Sequence, residues 1–294
     1  PQHRPGRGWE ALPARECGLD RMPAYHLKIS PGDVAEYVLL PGDPGRVPVI
    51  SKLWDESHHV ATSREYVTHT GVYRGVPISC TSTGIGAPST SIAMEELARC
   101  GARVFIRVGT CGTFLDSIDN GDMVIFDAAM RLDGASKLYA PIEYPAVASH
   151  DVVEAAMRAA RELGLRHHVG ITRSADTFYA GHAQPGSSFN GYWQSGWAEH
   201  FNDLARLNVA AAEMEASVIF VLARVWGLRA GGMAVVGDNV RRVSGDSGVF
   251  EPDKQISHLA EGIEQLARLG CESVRHLAAM DEAGSGPRVP VANP

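Results

Sequence analysis

Two arginines stand where chain geometry alone gives no reason for them. Arg46 closes the turn "LLPGDPGR", and Arg107 sits inside the apolar run "FIRVGTCGT". A turn from strand to helix needs only glycine and proline for its shape, so a guanidinium there calls for a chemical explanation. Together with "STGIGAPSTS", these segments put small residues, free backbone N–H groups and hydroxyls at the carboxyl ends of strands. In open α/β sheets, ligands sit at that edge. Glycines let the backbone approach an oxyanion, but neutral donors alone hold a dianion poorly. Arg46 and Arg107 add charge and a bidentate fork that fits phosphate oxygens. Plainer readings stand beside this one: Arg46 opens an exposed helix, and Arg107 pairs with a core carboxylate. An arginine within "VFIRVG" is costly to bury unpaired, which favours a functional role for Arg107. None of the three segments is a P-loop or a dinucleotide fingerprint.

Strands must carry these turns and helices must follow them. "EYVLL", "RVFIRVG" and "DMVIFDA" are strand-like, and "TGVYRGVPISCTST" reads as two strands around a glycine turn. Ala93, Leu97 and Cys100 recur at helical spacing on a segment opened by "PSTS", where a Ser or Thr cap belongs, and closed by Gly101. Val153, Ala156, Ala160 and Leu163 repeat the pattern before Gly164, as do Met214, Val218, Leu222 and Val225 before Gly227. The alternation predicts an α/β fold: a single domain with a central mixed β-sheet flanked by helices. Residues 1–22 are rich in Pro, Gly and Arg, and 281–294 carry no periodicity, so both are expected to be mobile tails around a folded body at 23–280.

Composition narrows the function. With 294 residues, 45% of them hydrophobic, the chain can bury a sizeable core. A formal net charge of −7 gives no long-range attraction to nucleic acid, so an anionic ligand must be held by a local cluster of donors. No run approaches the roughly 18 apolar residues of a membrane span. The N-terminal stretch lacks the apolar core of a secretory signal, and the expected location is cytoplasmic. Five widely spaced cysteines without a CxxC pair argue against a disulfide framework or a zinc site. The doublets His58–His59 and His167–His168 are not at metal-ligand helical spacing and read as structural.

The segments "PGDPGRV", "TSREY", "TSTGIGAPSTSIAMEELARCGARVFIRVGTCG", "RLDGAS", "SADTFYAG" and "AAEMEAS" resemble, in order and spacing from about His26 to Leu269, the nucleoside phosphorylase family, most closely its uridine phosphorylase branch. The resemblance implies phosphate-dependent cleavage of a nucleoside to free base and ribose 1-phosphate, with inorganic phosphate as co-substrate and no organic cofactor. It assigns phosphate to Gly42, Arg46, Arg107 and Thr110, with Arg64 reaching in from a neighbouring subunit. For ribose it points to Met214 and Glu215, with Glu213 beside them, and to His26 crossing a dimer interface. A carboxylate that accepts two hydroxyl donors suits a vicinal diol. The resemblance further implies a homo-oligomer, a hexamer of three dimers with shared sites, and a potassium ion as an option at Glu65, Ile85 and Ser89.

Base recognition departs from the branch. Its base is implied to meet Thr110, Cys111, Gly112 and Phe178, but where uridine phosphorylases carry a glutamine and an arginine this chain has His182 and Gln184. Asp238, in "GDN", falls where purine nucleoside phosphorylases carry an aspartate that protonates the base; it is equally an ordinary turn residue. Arg107, Glu215 and Asp238 are the catalytic candidates. A purine nucleoside phosphorylase is the alternative on base. A hydrolytic nucleosidase has no use for three phosphate-facing arginines, and a silent nucleoside binder gains nothing from them. The aromatic segment around Trp193 and Trp197, residues 185–200, reads either as a flap or as helix packing.

Overall fold

The computed structural model describes residues 23–181, 188–241 and 252–284, so His182 and Gln184 lie outside the described residues. Strand β1 (Tyr37–Leu40) runs into the glycine turn and the short helix α1 (Arg46–Ser51). An antiparallel meander follows: β2 (Glu56–Ser63), β3 (Tyr66–Tyr73) and β4 (Val76–Thr81). Arg74 and Gly75, both with positive φ (47° and 81°), make the two-residue turn between β3 and β4, matching the twist of the strands it joins. Helix α2 (Ala87–Cys100) leads to β5 (Val104–Thr113) and β6 (Met123–Leu132). The chain continues through α3 (Ala135–Tyr139), β7 (Ala146–Val147), α4 (His150–Glu162) and β8 (His167–Ala175). It ends with α5 (Trp197–Arg206), β9 (Ala211–Glu213), α6 (Ala216–Val225), β10 (Arg229–Asn239) and α7 (Pro252–Glu282).

All these strands join one mixed sheet, as expected, but part of it closes. β5 pairs with β10, β10 with β6, β6 with β8, β8 with β9, and β9 returns to β5. From this ring β1, β4, β3 and β2 extend as an open wing, with β2 outermost and irregular between His59 and Ala61. β1, β4, β5 and β10 run parallel, so Gly42 and Gly84 beyond β1 and β4, Arg107 within β5 level with the last residue of β1, and Asp238 near the end of β10 gather on one side. Helices cover both faces over two apolar clusters, one including Leu97, Phe105, Phe126 and Phe220, the other Leu39, Ile106, Met233 and Leu269.

Four local expectations change. The "GTCGT" segment is not a turn after β5: the strand continues through it to Thr113 because β10 supplies a parallel partner as far as Asn239. α6 begins at Ala216, after Met214, and Ala216 to Ala223 are all buried. It is therefore a core helix, buried on every side and not only along the face of Val218 and Leu222. α2 is capped at Gly86, whose N–H is accepted by Glu215 at 2.6 Å; Ser89 and Thr90 lie inside its first turn. Finally, α7 runs two residues past the boundary at 280, because Arg229 grips Asp281 with two bonds of 2.7 Å and the Tyr37 hydroxyl donates to the same carboxylate.

Candidate active site

The gathered strand ends surround a cavity of about 730 Å3. Gly42, Asp43 and Arg46 line it from the first turn, Gly84, Ile85 and Ser89 from the second, and Arg107 with Gly109 to Gly112 from β5. Glu213, Met214 and Glu215 enter between β9 and α6, Arg173 from β8, Phe178 from the loop after it, and Asp238 from β10.

Arg107 is the centre of charge. Its Nε lies 2.7 Å from Glu213 Oε2 and its Nη2 2.6 Å from Glu215 Oε2, with the side chain 5% exposed. Burial works against the guanidinium, but the two carboxylates outweigh it and raise its pKa. The core-carboxylate reading of Arg107 is thus correct in geometry, and the same residue lines the cavity. Gly109 makes room for it: a Cβ there would lie 2.7 Å from the Arg107 Cζ and Nη2.

Glu213 is fully engaged. Its Oε2 also accepts the N–H groups of Glu215 and Ala216 at 2.8 and 2.9 Å, and Ser174 donates to its Oε1. It therefore holds Arg107 and caps the start of α6 at once. Glu215 bonds Gly86 N–H through Oε1 and Arg107 through Oε2. Burial, opposed by Arg107 and helped by Glu213, pushes its carboxyl above the usual range.

Arg46 is the second cation of the cavity. Its Nε is buried without a hydrogen-bond partner, and Asp43 is 4.0 Å away. Its pKa is lowered, chiefly by burial, with the like charge of Arg107 adding to the effect. Two guanidinium groups that repel each other across one cavity make a local demand for an anion. Net charge of the chain is immaterial at this range.

The phosphorylase superfamily family model matches residues 36–275 of this chain. This chain belongs to the phosphorylase superfamily. It is 50% identical over 258 residues to a uridine phosphorylase of Thermococcus kodakarensis, covering 88% of each chain. It is 38% identical over 253 residues to a guanosine phosphorylase of Halorubrum lacusprofundi, covering 86% of this chain and 98% of that protein. The crystal structure of a uridine phosphorylase from Vibrio fischeri ES114 superposes with a TM-score of 0.74 at 29% identity, covering 86% of this chain and 97% of that one.

Within this phosphorylase fold, the sequence candidates Gly42, Arg46, Arg107, Thr110, Cys111, Gly112, Phe178, Glu213, Met214, Glu215 and Asp238 line a single cavity. So do Glu65, Ile85 and Ser89. His26 and Arg64 do not line it. His26 is held by Glu96, which takes its Nδ1 at 2.8 Å and its backbone N–H, and Arg64 is exposed at the β2–β3 turn with φ 55°. In the aromatic segment, the Trp193 and Trp197 rings meet edge to face at 5.2 Å and Trp197 packs on the Phe114–Phe201 cluster. None of residues 188–200 lines the cavity. Sequence reasoning missed Arg173, a buried arginine inside the strand "HHVGITRSA". The signal that singled out Arg107 was present there too.

Proposed function

We propose that this chain is a nucleoside phosphorylase of the uridine phosphorylase kind, a pentosyltransferase that reversibly converts a nucleoside and inorganic phosphate to free base and ribose 1-phosphate. One observation carries the proposal: the guanidinium groups of Arg46 and Arg107 and the carboxylate of Glu215, from separate parts of the sheet, share one cavity. Phosphate is taken by Arg46, the Thr110 hydroxyl, the N–H groups near Gly42 and the Arg107 Nη1, which has no bond among the described residues. The sugar lies against Met214, its hydroxyls donating to Glu215, which Arg107 and Gly86 hold in place. Such positioning fixes a phosphate oxygen against C1′ as the bond to the base loosens. The electron pair of that bond passes to the base, and the proton carried by phosphate ends there.

Base contacts come from Phe178, Cys111, Gly112 and Asp238. Asp238 on the cavity wall, with the Halorubrum lacusprofundi guanosine phosphorylase among the relatives, favours a purine base as the second reading. We assign His26 and Arg64 to a neighbouring subunit's site, in a dimer-based homo-oligomer of hexameric form. Exposed Tyr25, Ile85 and Leu138 (70, 77 and 89%) offer apolar surface for such contacts. The three oxygen donors at Glu65, Ile85 and Ser89 suit a hard cation such as potassium, which would brace the second turn. Cys80, Cys100, Cys111 and Cys271 are free and buried, in keeping with a cytoplasmic enzyme. Incubating the protein with uridine, thymidine, inosine and adenosine, with and without phosphate, tests the reading. Base release should require phosphate and yield ribose 1-phosphate; release that ignores phosphate would refute it.

A further inference from the structure

Arg173 is 7% exposed, yet it has no carboxylate and no hydrogen-bond acceptor for its Nε among the described residues. Among the described residues its one charge-related contact is the Phe201 ring, 5.8 Å from Cζ. Burial alone lowers its pKa, with no neighbouring charge contributing, whereas Arg46 feels Asp43, Arg107 and Glu215. Arg173 therefore stands apart from the cluster that serves phosphate and sugar. A buried guanidinium nitrogen without a partner is strongly unfavourable unless an acceptor meets it. It lines the cavity, so the acceptor belongs to what the cavity takes up.

The strand register shows which part of the substrate that is. Arg173 of β8 lies opposite Ala212 of β9, Ala212 opposite Gly112 of β5, and Gly112 opposite Asp238 of β10. All four line the cavity. Two small residues thus form a floor between a guanidinium and a carboxylate, with Val240 and the Phe178 ring as apolar walls. Space at the floor is tight: a Cβ on Gly112 would collide with Val240 and come within 3.2 Å of Asp238 Oδ1. A flat heterocycle fits such a slot, and a tetrahedral dianion does not. The end at Arg173 offers only N–H donors, so it matches a carbonyl oxygen and opposes an exocyclic amine.

The geometry points to Arg173 as the base-selecting residue of this enzyme, donating to a ring carbonyl and so restricting the substrate to oxo-base nucleosides over their amino counterparts. This rests on the phosphorolysis proposed above. When the bond from C1′ to the ring nitrogen breaks, its electron pair spreads onto the carbonyl oxygen, where the guanidinium meets the growing charge. The phosphate oxygen supplies the new pair to C1′, and the phosphate proton moves to the base, so no further reactant is needed.

Matched substrate pairs test the inference: uridine against cytidine, and inosine against adenosine, each with phosphate. The native enzyme should favour at least one oxo member by about 100-fold or more in kcat/KM, because an amine leaves the buried donors unpaired. Arg173→Gln should cut kcat/KM for that oxo nucleoside about 100-fold and narrow the ratio to within about tenfold, with the phosphate KM within about threefold of native. Arg173→Lys, which keeps the charge but not the fork, should recover part of the loss and serves as the test if the glutamine variant does not fold. An unchanged ratio, or a phosphate KM that rises in step with the loss, would overturn the assignment. If the native protein cleaves none of the four, phosphorolysis fails on its own terms, and calorimetric binding of uracil against cytosine and of hypoxanthine against adenine then decides Arg173. An oxo preference lost in the variant upholds the inference; equal binding by the native protein refutes it.

Discussion

Arg107→Met removes one charge while nearly preserving bulk, and leaves the Glu213 and Glu215 carboxylates facing each other in the core. In the native protein they are separated by a guanidinium at 2.7 and 2.6 Å. Taking one partner from a buried ionic group costs about 3–5 kcal/mol, because the rest stay desolvated. Part of that is recovered by proton uptake, since Glu215 already titrates above the usual carboxylate range through burial and Glu213. The sign follows directly: the folded variant binds a proton that the unfolded chain releases above about pH 4.3, so its stability falls as pH rises. Between pH 6 and pH 8 the penalty should grow by up to about 2.7 kcal/mol, one proton over two pH units. At pH 8 a loss of about 3 kcal/mol corresponds to a drop of about 6–12 °C in melting temperature for a domain of this size. Scanning calorimetry of both proteins at the two pH values reads this out, and phosphorolysis by the variant should be abolished. A drop below about 3 °C, or the same drop at both pH values, would refute the view of Arg107 as the cation that balances the buried Glu213–Glu215 pair.

Gly109→Ala should raise the phosphate KM about tenfold while costing about 1–3 kcal/mol, since the added methyl strikes a guanidinium that two carboxylates prevent from swinging away; an unchanged phosphate KM would refute it. Asp281→Asn tests the helix end at Arg229. Burial opposes ionisation there, but Arg229 and the Tyr37 hydroxyl prevail and hold the carboxyl below its ordinary range. The ion pair thus stabilises above the unfolded carboxyl pKa and is lost as pH falls through the lower folded one. Urea unfolding should show the variant about 1 kcal/mol less stable at pH 7, discounted for the partly exposed carboxylate, with the gap closing below about pH 4; a gap of constant size would rule this out.

Much of the site was legible because its parts are local. The turn at 41–45 announces itself through glycine and proline and that at 82–86 through glycine, and the arginine that follows the first has no role in its geometry. Arg74–Gly75 likewise marks its own hairpin. Ring closure was not legible, since the pairing of β5 with both β9 and β10 joins segments some hundred residues apart through backbone bonds that favour no side-chain pattern. The extension of β5 through "GTCGT" depends on the same distant partner. α6 misled because its apolar residues at helical spacing belong to a helix buried on every side, so the spacing marked one buried face among several. Arg173 was overlooked because no glycine turn accompanies it.

A sheet that bends round to meet itself has few borders left at which another chain could add a strand. Among the described residues the open wing ends at β2, which is poorly suited to recruitment: its "ESHH" start is polar and exposed, and its pairing with β3 slips after His59; the other edge, β7, is two residues long. The hoop spends its hydrogen-bonding capacity between its own strands, and their cavity-facing residues frame the catalytic hollow. Resistance to fibril-like stacking and the shaping of the pocket are therefore two results of the same closure.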